Sequence, residues 1–134
     1  MEILPSQSSI ERTDSAKDDQ RIHTFNFQGY KIYVGRNALS NERLITEHRE
    51  MHKKCIWLHV YKAKGAHVVI CLGEKSGPPL DIVLRRATDL AIWFSVGKRE
   101  NKKVVWSELQ DVYKPVEGVI GVWQTYKQAN IIEL

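Results

Sequence analysis

The stretch Cys55–Leu72, CIWLHVYKAKGAHVVICL, reads as two antiparallel strands joined by a turn. Ile56, Leu58 and Val60 alternate with Trp57, His59 and Tyr61, and such alternation puts successive side chains on opposite faces of a sheet. After Lys62-Ala63-Lys64-Gly65 the chain returns with a second aliphatic row, Ala66, Val68, Ile70 and Leu72. Both rows have to share one buried face, so the register is even. His67 then joins Trp57, His59 and Tyr61 on the other face, opposite either His59 or Tyr61.

The pattern extends in both directions. Phe25 and Phe27 flank Asn26 in an earlier strand, Gln28-Gly29 marks a turn, and Tyr30–Val34 alternates as the next strand before Gly35-Arg36-Asn37 breaks the sheet. Leu44, Ile45, His48 and Met51 fall on one side of a short helix over about residues 41–51. Leu80, Val83, Leu84, Ala87, Leu90, Ala91 and Phe94 follow the period of a longer helix, with Pro79 and Asp81 suited to its first turn and Gly97 to its end. Val104–Trp106 begins another strand, and Ser107-Glu108-Leu109-Gln110 has capping-box spacing for a short helix that stops before Pro115. Residues 119–126 and 131–134 are expected to form a closing hairpin. The fold class is α+β: a mainly antiparallel sheet, one long amphipathic helix packed on its aliphatic face, shorter helices, and the Trp-His-Tyr face left free.

The 134 residues divide into a polar N-terminal tail over 1–21, expected to be mobile, and one domain over 22–134, large enough for a single core without disulfides or metal. The net charge of +4 understates the domain. The tail holds five acidic and three basic residues, which leaves 17 Lys and Arg against 11 Asp and Glu in 22–134. A basic surplus favours polyanionic partners. No apolar run approaches the roughly 18 residues of a membrane span, and the N-terminus lacks an apolar signal segment, so a soluble intracellular protein is expected. Cys55 and Cys71 sit in strand patterns on one face, as reduced buried thiols or as cross-strand neighbours.

Several side chains carry chemistry. Trp57, His59 and Tyr61 offer flat surfaces to unstacked bases. Arg36 and Asn37 lie between a strand and a helix, where backbone N–H groups and a guanidinium can receive a phosphate. Lys98, Arg99, Lys102 and Lys103 form a basic connection suited to phosphate attraction, and Lys64 and Lys114 add isolated cations. Cys55, His59, His67 and Cys71 share a face, yet His59 stands about 13 Å along the strand from Cys55 at about 3.3 Å per residue, too far for one ion.

Gly35-Arg36-Asn37-Ala38, Ile56-Trp57-Leu58-His59 and Gly65-Ala66-His67-Val68-Val69-Ile70 occur in this order. Together with Lys103-Val104-Val105-Trp106, Lys114-Pro115 and Gly121-Val122 they resemble the NFACT-R domain, also called the DUF814 RNA-binding domain. The resemblance covers roughly residues 22–134. Cys55, Ala66 and Val96 stand where the family usually carries an acidic residue, a small hydroxyl residue and a lysine. It implies a non-catalytic RNA-binding module of translation or ribosome quality control, cytoplasmic, without cofactor or metal, that contacts tRNA or ribosomal RNA and the large ribosomal subunit. Larger members add a glycosylase-like N-terminal domain, helix-hairpin-helix segments and a coiled coil; a stand-alone chain would take these from protein partners. The residues expected at RNA are Arg36, Asn37, Trp57, His59, Tyr61, Lys64, His67, Lys98, Arg99, Lys102, Lys103 and Lys114. The alternatives are a protein-binding adaptor in a translation-related complex, anchored by Trp57 and Tyr61, and a metal-independent RNase using His59 and His67 as general base and acid.

Overall fold

A computed structural model describes residues 11–12, 22–51, 54–61, 64–73, 81–95, 103–125 and 130–133. The strands are β1 (Glu11–Arg12), β2 (Ile22–Phe27), β3 (Tyr30–Gly35), β4 (Cys55–Val60), β5 (Val68–Cys71), β6 (Lys103–Glu108), β7 (Val112–Tyr113), β8 (Gln124–Thr125) and β9 (Asn130–Glu133). The helices are α1 (Ala38–Glu50) and α2 (Asp81–Trp93). Seven strands make one sheet in the order β1-β2-β3-β5-β4-β6-β9, with every neighbouring pair antiparallel, and β7 pairs with β8 apart from it. The α+β class and the mainly antiparallel sheet agree with the sequence reading.

The β2–β3 hairpin closes at Phe27↔Tyr30 through Gln28 and Gly29, whose φ angles of 52° and 80° match the twist of the strands they join. In the deciding pair, Ile56↔Ile70 and Leu58↔Val68 stand opposite, so the even register holds. Continued outward, that register sets His67 against His59. The aliphatic row packs with Phe25, Ile32, Val34 and Val104 beneath Val83, Ala87, Leu90 and Ala91 of α2.

The other face is not free, which corrects the expectation of a sheet bare on one side. Leu44 and Ile45 of α1, Leu109, Val112 and Trp123 pack over Trp57 and Val69. The apolar side of α1 needs a surface to cover, and the aromatic row supplies it. Nor is one helix long and the other short: each has 13 residues. The difference at α1 is its start. Asn37 is its N-cap, with extended backbone, its side chain accepting from the Ser40 N–H while Ser40 Oγ accepts from the Asn37 N–H.

Two C-terminal expectations also change. Ser107 is a buried residue of β6, and the short helix after it is a single 3-10 turn, Leu109–Asp111, with no side-chain cap. The closing hairpin does not form, because β8 pairs with β7 and β9 extends the main sheet beside β6. The expected tail lies outside the described residues except for Glu11–Arg12, which pairs with β2. Pro79 and Gly97, read as bounds of α2, also lie outside them. Among the described residues no helix is long and apolar enough to cross a membrane.

Leu58 is fully buried between β5 and β6 under α2. Leu58→Ala is expected to lower unfolding stability by about 2–5 kcal/mol, read from urea denaturation as a lower midpoint at unchanged slope.

Candidate nucleic-acid interface

A cleft of about 960 Å³ opens at the end of the central strands, where β3 stops at Gly35, β4 runs into Tyr61 and the chain enters β5 through His67. The start of α1, the segment after α2 and residues 120–125 complete its walls. Seven of the twelve expected residues line it: Arg36, Asn37, Trp57, His59, Tyr61, Lys64 and His67.

His67 is the most constrained. Its ring Nδ1 accepts from Trp57 Nε1–H at 2.8 Å, so the proton sits on Nε2, which donates to the Gly121 carbonyl at 2.9 Å. Its backbone N–H donates to Asn41 Oδ1 at 3.1 Å, and its carbonyl accepts from the Gly35 N–H at 3.0 Å. Burial drives its pKa down to about 3, with the neighbouring His59 adding to the effect and the Gly121 bond opposing it. At neutral pH the ring is an uncharged structural tie.

His59 is half-buried. Its ring lies nearly parallel to Trp57, 7° between planes and 6.0 Å between centroids, and 4.6 Å from the His67 centroid. Nδ1–H donates to the Val60 carbonyl at 2.8 Å. Burial lowers its pKa, against the opposing bonds to Val60 and Gly65. Trp57, expected to present a stacking surface, is only 2% exposed. It forms the floor on which the histidines rest, while His59 and Tyr61 reach the open part of the cleft.

The cations sit elsewhere. Arg36 and Lys64 are exposed at the rim. Lys103 is exposed on β6 and stands opposite Tyr61, whose N–H donates to the Lys103 carbonyl, so it shares the face of the aromatic row. Lys114 is turned away from the opening, because it pairs with Glu42 and lies 4.8 Å from the Trp123 ring centroid. Lys98, Arg99 and Lys102 lie outside the described residues.

Sequence reasoning missed the groups that hold the cleft together. Glu42 Oε1 accepts from Lys114, from the Gly121 N–H at 2.8 Å and from Trp123 Nε1–H at 3.2 Å. Burial raises the Glu42 pKa, but those three donors outweigh it and hold the carboxyl below its usual range. Gly121, at φ 82°, runs so close to α1 that a Cβ would meet the Ala38 carbonyl at 2.8 Å. A Cβ on Gly35 would lie 1.8 Å from Asn41 Oδ1, the acceptor of the His67 N–H. His23 and Phe94 add a ring contact at 4.6 Å on the wall past Gly65. The Asn37–Ser40 spacing was a legible signal for the start of α1; Glu42 carried none.

Residues 21–120 match the family described as NFACT protein RNA binding domain, NFACT-R. The chain belongs to that family. It is 39% identical over 91 residues to the Rqc2 homolog RqcH of Streptococcus pneumoniae serotype 2, a match covering 67% of this chain and 16% of that protein. It is 34% identical over 88 residues to the Rqc2 homolog RqcH of Bacillus subtilis, covering 65% and 14%. The chain thus spans about a sixth of the length of these relatives. The structure of the C-terminal of the fibronectin/fibrinogen-binding protein from Streptococcus suis superposes with a TM-score of 0.68 at 25% identity, over 90% of this chain and 47% of that one.

The neutral tie has a pH signature. In an unfolded chain His67 titrates near pH 6.5, and in the fold at about 3, so between these values the unfolded state holds the extra proton. Stability is full above about pH 6.5 and falls as pH drops toward 3. Between pH 6.5 and 5, above the carboxylate range, the loss from His67 is expected to be about 1.5 kcal/mol. Urea denaturation across that window should show it, with a flatter profile for His67→Asn.

Proposed function

We propose that this NFACT-R domain is a non-enzymatic RNA-binding module of ribosome quality control, working in the cytoplasm on tRNA or ribosomal RNA at the large ribosomal subunit. Residues 22–134 form the binding unit, with Glu11–Arg12 of the polar 1–21 segment added at the edge of its sheet beside β2. Family membership supports RNA as the ligand. The observation that carries the reading is the cleft itself: Arg36 and Lys64 at its rim flank His59 and Tyr61 above a rigid Trp57 floor. A cationic rim over a neutral aromatic bed suits an unpaired nucleotide, with phosphate at the rim and base inside.

The division of labour follows from burial. Arg36, Asn37, His59, Tyr61, Lys64 and Lys103 meet the RNA, whereas Trp57 and His67 fix the shape they stand on. Lys98, Arg99 and Lys102 extend the phosphate-attracting surface through the connection that ends at Lys103. Lys114 contributes through Glu42 and Trp123, not by reaching out. The engagement of both His67 ring nitrogens supports a non-catalytic reading, since it leaves the pair without a general acid.

A second reading, a protein-binding adaptor, draws on exposed Val116, Val119, Ile120 and Val122 beside the cleft.

Filter binding of tRNA and single-stranded RNA over a salt series separates the readings. Arg36→Ala with Lys64→Ala is expected to flatten the slope of log affinity against log salt by about 1.4 if both contact single-stranded phosphate. An unchanged slope overturns their assignment, and a salt-insensitive protein partner with no RNA affinity favours the adaptor. His59→Ala should weaken single-stranded RNA binding by about 1–3 kcal/mol while leaving the circular dichroism spectrum intact. Unaltered affinity would remove the ring from the RNA site.

A further inference from the structure

The far end of the β4–β5 pair holds a second cross-strand couple. Cys55 and Cys71 are register partners, and their sulfurs lie 3.5 Å apart, in van der Waals contact. Neither is bonded in a disulfide. The Leu72 N–H donates to the Lys54 carbonyl at 3.1 Å, which makes 54 and 72 a hydrogen-bonded pair. In an antiparallel ladder such pairs alternate, so Cys55 and Cys71 occupy a non-hydrogen-bonded pair, where side chains approach most closely and Cα atoms stand about 4.5 Å apart. That spacing lies at the short end of the range that disulfides span, about 4.4–6.8 Å.

Access is asymmetric. Cys55 is buried among Leu44, Ile45 and Leu109, whereas Cys71 is half-buried beside exposed Lys31, its register partner on β3. Tyr33 packs in the same cluster as both cysteines; burial raises its pKa and Cys71 and Cys55 add to the rise, so the pair does not sit among purely aliphatic side chains.

We propose that Cys55 and Cys71 are a dithiol site for a two-electron oxidant of the peroxide class, with Cys71 the attacking and Cys55 the resolving thiol. Cys71 attacks one peroxide oxygen; the O–O bond breaks, the distal oxygen leaves as water or alcohol, and Cys71 becomes a sulfenic acid. The Cys55 sulfur then attacks the Cys71 sulfur; the S–O bond breaks, water leaves with the thiol proton, and a disulfide remains. Two electrons pass from the pair to the peroxide. A small-molecule dithiol reverses the step by thiol–disulfide exchange. The sulfurs need to close by about 1.5 Å to reach bonding distance, within the reach of side-chain rotation on paired strands. The site lies four positions along β4 from His59, and the proposal does not depend on the nucleic-acid reading.

The test uses the whole chain, folded, with hydrogen peroxide as the probe. Intact mass spectrometry should show a loss of about 2 Da, neither cysteine should react with iodoacetamide after denaturation, and the product should carry no disulfide between chains. Dithiothreitol should restore both thiols. The oxidised protein should melt at a higher temperature than the reduced one, a rise absent from a Cys55→Ser, Cys71→Ser double variant. In Cys55→Ser alone, Cys71 should accumulate as sulfenic acid and be labelled by dimedone. Oxygen addition without disulfide formation in the native chain, a disulfide-linked dimer, or closure only in urea would each overturn the proposal.

Discussion

His67 has to remain uncharged. Its Nδ1 receives a proton donor from Trp57, its Nε2 supplies one to Gly121, and its backbone is taken up by Asn41 and Gly35. A proton on Nδ1 would set two donors against each other inside an apolar wall. The constraint reaches outward through each partner. Asn41 ties the first turn of α1 to the entry of β5, Gly35 sets how closely β3 approaches it, Trp57 forms the floor of the cleft, and Gly121 the lip that closes over it. The neutral imidazole holds Trp57 and Gly121 while the His67 backbone holds Asn41 and Gly35, so one residue aligns four separate pieces of the chain.

Glu42 complements His67 one layer out. A single carboxylate oxygen gathers the Lys114 ammonium, the Gly121 amide and the Trp123 indole. These donors bring the segment after β7 onto α1. Charge here serves cohesion, whereas the charge of Arg36 and Lys64 is left exposed.

Much of this was legible in the chain. The period-two alternation of 55–60 and 66–72 required an even register but left His67 opposite either His59 or Tyr61; the structure takes the His59 register, which also sets Cys55 opposite Cys71. What alternation cannot say is whether a second face is bare or covered. Trp57 alternates identically in either case, and the covering elements were readable only as isolated signals: Leu44 and Ile45 as a short amphipathic stretch, Trp123 as one aromatic residue in an assumed hairpin. The ties that decide burial join residues far apart in sequence through side-chain acceptors, Asn41 and Glu42, that look like ordinary polar residues of a helix. The C-terminal pairing escapes the sequence pattern for a similar reason, because β8 and β9 find partners outside their own neighbourhood. Seven of the residues expected from the resemblance to NFACT-R line one opening; the split between those that face it and those that brace it came from burial.

The Gly121 lip carries a consequence for how the chain is wired. Its two contacts span 54 positions to His67 and 79 to Glu42. The hairpins of β2–β3 and β4–β5 join residues close in sequence, so they need little of the chain to be present. The opening they frame is different, since it acquires its outer wall only once the C-terminal quarter has folded back across α1. A nascent or truncated chain can thus possess the floor, with its paired rings and strands, and still have no enclosed place for a ligand. Enclosure of the cleft is tied to completion of this domain, because its last wall is supplied by residues 120–125.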